Sequence, residues 1–107
     1  MADLRKLYRV AIDRTGHVRR GDETFVCKVI DMTEQGVRLR SDETFRVGEE
    51  LDLEFALTEA DVLACVVHVT HSQSPYIGVA IVRIAPDHQE RLSRFIEELN
   101  ALNMTGF

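Results

Sequence analysis

Tryptophan is absent from this 107-residue sequence, aromatic residues make up 7% of it, and only two cysteines and two prolines occur. Each scarcity excludes something. Few aromatics and no tryptophan leave little on which successive bases of a nucleic-acid strand could stack. Two cysteines cannot staple a disulfide framework. Cys27 and Cys65 lie far apart in the apolar stretches Phe25-Val26-Cys27 and Leu63-Ala64-Cys65-Val66, so they are expected to be buried free thiols acting as small hydrophobes. No apolar run approaches the ~20 residues of a spanning helix, and no membrane insertion is expected. The leading residues Met1-Ala2-Asp3-Leu4-Arg5-Lys6 lack the apolar stretch and cleavage site of a signal peptide, which makes the expected location cytoplasmic. The six glycines are scattered singly, so there is no Walker loop.

What is present is an ordinary globular composition, 45% hydrophobic and 29% charged, in a length that suits one domain with its own core. The net charge of -5 argues against a nucleic-acid polymer as partner, whose binding rests on phosphate neutralisation. Its distribution says more. Residues 1–20 hold Arg5, Lys6, Arg9, Arg14, Arg19 and Arg20 against Asp3 and Asp13, a balance of +4, while the remainder carries -9. A basic arm on an acidic body suits one small anionic ligand.

From Leu7 to Ile84 the apolar residues alternate with a period near two, broken by turn formers. Strands are predicted near Tyr8 to Arg14, Thr24 to Asp31, Gly36 to Arg40, Glu50 to Leu57, Val62 to Thr70 and Tyr76 to Ile84, with breaks at Thr15-Gly16 and Arg20-Gly21-Asp22 among others. The last segment changes period. Pro86 and Asp87 suit a first helical turn, and Leu92, Phe95, Ile96, Leu99 and Leu102 recur at helical spacing, which predicts a helix over 86–103. The expected fold is mostly β, a six-stranded antiparallel β-barrel followed by one C-terminal α-helix. It forms a single domain over 1–107, with a basic arm over 1–9 and a barrel over 8–84.

Catalytic and metal chemistry find no support. Glu49-Glu50 and Glu97-Glu98 read as solvated faces, Ser72 and Ser74 near His71 do not form a nucleophile elbow, and an enzyme is not expected. Alternation along a strand puts His68 and His71 on opposite faces, so no metal site or cofactor is predicted.

Two short motifs remain. Arg5-Lys6-Leu7-Tyr8-Arg9 is an RxxxR ahead of a strand, and Asp31-Met32-Thr33-Glu34-Gln35-Gly36 is a DxTxxG joining two strands. Alone, the first is a basic arm and the second a hairpin turn in which Asp31 and Thr33 bond local backbone and Gly36 takes a positive φ. Together, in this order and with Arg9 and Asp31 22 positions apart, they resemble the PilZ family. The resemblance extends through Tyr8-Arg9-Val10-Ala11-Ile12, Gly36-Val37-Arg38-Leu39, Val47-Gly48-Glu49-Glu50-Leu51 and Tyr76-Ile77-Gly78-Val79-Ala80-Ile81 to the closing helix.

The resemblance implies a split-barrel receptor for the second messenger cyclic di-GMP, acting on an effector protein in motility or biofilm control, as a monomer or weak dimer. It implies a ligand site at Arg5, Arg9, Asp31, Thr33 and Gly36, with Lys6, Arg38 and Arg40 as secondary candidates. The chemistry fits. Arginine forks pair bidentately with guanine O6 and N7 or with phosphate oxygens, and a carboxylate accepts from guanine N–H groups. Thr33 adds a hydroxyl, and Gly36 keeps the turn tight. Thr33 stands where the family has serine, Gln35 where a second glycine is frequent, and Leu4 just before the first motif arginine favours one bound ligand over a stacked pair. The alternatives are a PilZ-like protein-interaction adaptor that does not bind cyclic di-GMP, and a small RNA-binding barrel.

Overall fold

The structure, a computed structural model, describes residues 9–105, with side chains to residue 101. Six strands, β1 (Val10–Arg20), β2 (Glu23–Met32), β3 (Gly36–Arg40), β4 (Glu50–Thr58), β5 (Asp61–Gln73) and β6 (Tyr76–Arg83), precede one helix, α1 (Pro86–Thr105). All neighbours are antiparallel, and the order β1-β2-β3-β6-β5-β4 closes into a barrel as β4 returns to β1. Alternation does the sorting. Leu51, Leu53, Phe55 and Leu57 of β4, and Val67 and Val69 of β5, point inward and are fully buried.

One predicted break is overturned. β1 runs through Thr15-Gly16 to Arg20, and Gly16 pairs with both Cys27 and Phe55. A Cβ at Gly16 would meet the Glu54 carbonyl oxygen at 3.0 Å and the Phe55 Cβ at 3.1 Å, so glycine serves there for close approach of strands, not for a turn. The true turn is Gly21-Asp22, where Gly21 has a φ of 59° and joins paired Arg20 and Glu23. Arg14, Arg19 and Arg20 thus belong to a strand, not to a basic arm.

Each end of the barrel is closed by a different device. At one end Phe45 is buried edge-on against Phe25, with ring centroids 5.8 Å apart. At the other, β4 and β5 outrun their partners. β1 pairs with β4 only as far as Phe55, and β6 pairs with β5 only from Val66. Side chains cover the orphaned edges: Arg14 Nε donates to the Leu57 carbonyl at 3.3 Å, and the Ala64 N–H donates to His88 Nδ1 at 3.1 Å. Helix α1 lies over this opening. Leu92 and Ile96 are buried in the core and Phe95 and Leu99 pack against it, each full burial contributing about 1.5–3 kcal/mol. Cys27 and Cys65 are buried and unpaired, as their apolar surroundings predict.

Candidate functional site

Asp31 ends a run in which Cys27 and Val29 face the core, and unbroken alternation would send it inward too. A β-bulge at Ile30 prevents this. The β2–β3 register shifts between Val29↔Leu39 and Asp31↔Arg38, so Met32 takes the next core position opposite Val37 and Asp31 turns to the outer surface. There it is nonetheless only 5% exposed, because two guanidiniums cover it. Arg9, the residue before β1, donates from Nη1 to Asp31 Oδ1 at 2.5 Å, and Arg38 Nη2 lies 2.6 Å from Asp31 Oδ2. Each carboxylate oxygen therefore has its own arginine. The arginine side chains stay 56% and 53% exposed. Two cations on one anion leave a positive surplus facing outward.

The turn after Asp31 is held by its own threonine. The Thr33 hydroxyl accepts from the N–H groups of Gln35 at 3.1 Å and Gly36 at 3.0 Å, and the Thr33 N–H donates to the Gly36 carbonyl at 2.8 Å. Gly36 does not take the positive φ that a hairpin turn suggests, since among the described residues only Gly21 and Gly48 do. Its Cβ would instead meet the Val79 carbonyl oxygen at 3.0 Å, a tighter contact than side chains ordinarily make, so glycine suits the close approach of β6. Ser93 of α1 donates to Glu34 in this turn at 2.6 Å, tying the motif to the helix.

Arg9, Thr33, Gly36 and Arg38 all line one cleft of about 560 Å3, together with Gln35, Thr70, His71, Tyr76, Gly78 and Ala80. Of the predicted residues, the structure thus brings together Arg9, Asp31, Thr33, Gly36 and Arg38. Arg5 and Lys6 lie outside the described residues. Arg40 lines an adjoining cleft of about 460 Å3 with Lys28, Arg38 and Tyr76.

Sequence reasoning missed His71 and Tyr76. A second bulge explains the first: the β5–β6 register shifts between Val69↔Val79 and His71↔Gly78, which turns His71 outward to the face His68 already occupies. The expectation that the two histidines face opposite ways is therefore corrected. His68 pairs with Glu50 at 3.1 Å, and among the described residues no group of three metal-ligating side chains occurs. Tyr76 was visible as the outward aromatic in the alternation Tyr76, Gly78, Ala80.

Elsewhere the chemistry is balanced or inert. A cleft of about 420 Å3 near the start of α1 carries His17, Arg19 and Arg83 against Asp52 and Glu54, with Arg19 and Asp52 paired at 3.2 Å. Burial pushes the Cys27 thiol up to about 11, a hydrogen bond with the Gly16 backbone partly offsetting it. Burial, and then the Asp52 charge, push Cys65 up to about 12. Neither thiol is a nucleophile near neutral pH. No described helix is long and apolar enough to cross a membrane.

Solved structures share this barrel. MrkH of K. pneumonia in its apo state aligns with a TM-score of 0.79 at 17% identity, over 100% of this chain and 55% of that one. The Bacillus subtilis inhibitor of motility MotI/DgrA gives 0.77 at 17%, over 91% and 51%. The PilZ domain of YcgR from Escherichia coli, solved with c-di-GMP, gives 0.74 at 12%, over 92% and 95%. The chain therefore spans about half the length of MotI and MrkH and nearly all of the isolated YcgR domain. No curated protein is detectably similar in sequence. A family model described as the PilZ domain matches residues 3–98, and with nine-tenths of the sequence inside that match, the chain belongs to the PilZ domain family.

Proposed function

We propose that this domain is a cyclic di-GMP receptor that acts as an adaptor and performs no chemistry itself. The observation that carries the reading is the Asp31 cluster: Arg9 and Arg38 share one carboxylate at the rim of a cleft walled by the Thr33–Gly36 turn. A ligand with two phosphates and two guanine edges matches a site with surplus guanidinium forks, since each fork pairs in-plane with O6 and N7 or with phosphate oxygens. Asp31 sets the aim of both forks, and guanine N–H groups can compete for its oxygens. Arg38, a secondary candidate from sequence, becomes a principal one. Arg5 and Lys6 would close on the ligand from the RxxxR arm. Since Glu34 in the same turn accepts from Ser93, a shift of the turn would be felt at α1, the surface through which an effector protein could read the bound state.

Such a receptor would work in the cytoplasm as a monomer or weak dimer. Motility is a natural output, since one structural neighbour is an inhibitor of motility. Isothermal calorimetry with cyclic di-GMP on the wild type, Arg9→Ala and Asp31→Ala tests the reading, with GTP and single-stranded RNA as controls. Saturable binding that is lost or much weakened in both variants is expected. No heat from the wild type points to the ligand-free adaptor, and tight, salt-sensitive RNA binding to the RNA-binding barrel.

A further inference from the structure

Strand β6 shows the cleft a row of alternate residues, Tyr76, Gly78 and Ala80, while Ile77 and Val79 between them are buried. Gly36 pairs with Ala80 in the next strand. Glycine, glycine and alanine make a floor low in side-chain relief of its own, bordered at Gly78 by His71, whose Cβ lies 3.3 Å from where a Gly78 Cβ would stand, and against it a flat ring can lie. Tyr76 rises at one end of it, two residues or about 6.6 Å along the strand from Gly78. It is 45% exposed and is the one aromatic among the exposed large hydrophobic side chains of the described residues. Its partner across the β3–β6 ladder is Arg40, and it borders both the main cleft and the one lined by Lys28, Arg38 and Arg40. The aromatic face thus stands where this floor meets Lys28, Arg38 and Arg40, of which Lys28 is held by Asp13 at 3.2 Å and Arg38 by Asp31 at 2.6 Å.

We infer that Tyr76 is a stacking platform that fixes one guanine ring of the dinucleotide, a role distinct from the charge contacts at Asp31 and one that rests on the receptor reading above. Stacking needs the ring, not the hydroxyl: every base offers a π-face, and tyrosine gives a rigid, amphipathic one at small entropic cost. The phosphates then fall toward Arg38 and Arg40. A tyrosine that only pairs with Arg40 on the barrel surface would have no such effect.

The test uses the full chain and cyclic di-GMP. Tyr76→Ala should bind at least roughly tenfold more weakly and Tyr76→Leu nearly as weakly, while Tyr76→Phe stays within about twofold of wild type, because only phenylalanine keeps the π-face. Unchanged thermal midpoints would show that the exposed substitutions leave the fold intact. With no tryptophan and only Tyr8 and Tyr76, a Tyr8→Phe protein reports on Tyr76 alone, and its fluorescence should be quenched on titration. Wild-type binding combined with undiminished affinity in Tyr76→Ala, or with equal affinities in Tyr76→Leu and Tyr76→Phe, would overturn the inference and leave the receptor reading standing. A wild type silent toward cyclic di-GMP would remove both.

Discussion

Two arginine clusters sit on this barrel and use the same groups in opposite proportion. At Asp31, one buried carboxylate holds two half-exposed guanidiniums. At the far end of β1, one guanidinium is surrounded: Arg20 lies 3.5 to 3.8 Å from Glu49, Glu43 and Glu23, and its guanidinium sits 5.2 and 5.1 Å from the ring centres of Phe25 and Phe45. There the acids are in excess and the cation's faces are covered by rings. The charge is satisfied within the protein, and the cluster ties the β1–β2 hairpin to the segment that carries Phe45. At Asp31 the cations are in excess and open to solvent, which is the state a dianionic ligand can complete. Both clusters contain salt bridges, and what sets them apart is which charge is outnumbered.

The largest effect expected from breaking this contrast is at the open cluster. Arg38→Ala should weaken cyclic di-GMP binding by roughly a hundredfold in calorimetry, since it removes one fork and leaves Asp31 with a single partner. Undiminished affinity would mean that the cation surplus is not used. Next, Arg20→Ala should lower stability in urea by about 2 kcal/mol, through lost packing on the two rings as much as lost charge, while affinity stays within about twofold. If affinity falls as far as stability does, the two clusters are not separable. Raising sodium chloride from about 0.05 to 0.5 M should weaken ligand binding by about tenfold, because the surplus charge faces solvent. Flat affinity across that range would argue for contacts that do not depend on charge.

Smallest at neutral pH is the effect of the thiols between the clusters. Their folded values of about 11 and 12 exceed the ordinary 9.0, so as pH rises past 9 the unfolded chain loses its thiol protons first. Stability from this source is complete below pH 9 and declines toward pH 11 to 12, which urea midpoints at stepped pH would show; Cys27→Ala with Cys65→Ala should flatten that decline. The same thiols sharpen the contrast. Their reaction with Ellman's reagent should speed up in Arg20→Ala and not in Arg38→Ala.

Strand number, the closing helix and the buried cysteines were legible from period and composition, because inward and outward residues alternate wherever a ladder is regular. Gly16 was misread as a break, since a glycine needed for close strand approach looks in sequence like one needed for a turn. The site was half legible. Arg9, Asp31, Thr33 and Gly36 came from motif spacing, whereas Arg38 as partner of Asp31, His71 in the cleft and Tyr76 at its end did not. Period and composition are enough to give the set of elements and the residue types available at their ends. Which face Asp31 and His71 occupy was settled by the closed barrel alone. Bulges at Ile30 and Thr70 reverse the alternation there, and a bulge arises from how neighbouring strands share one closed barrel, which no single strand's pattern encodes.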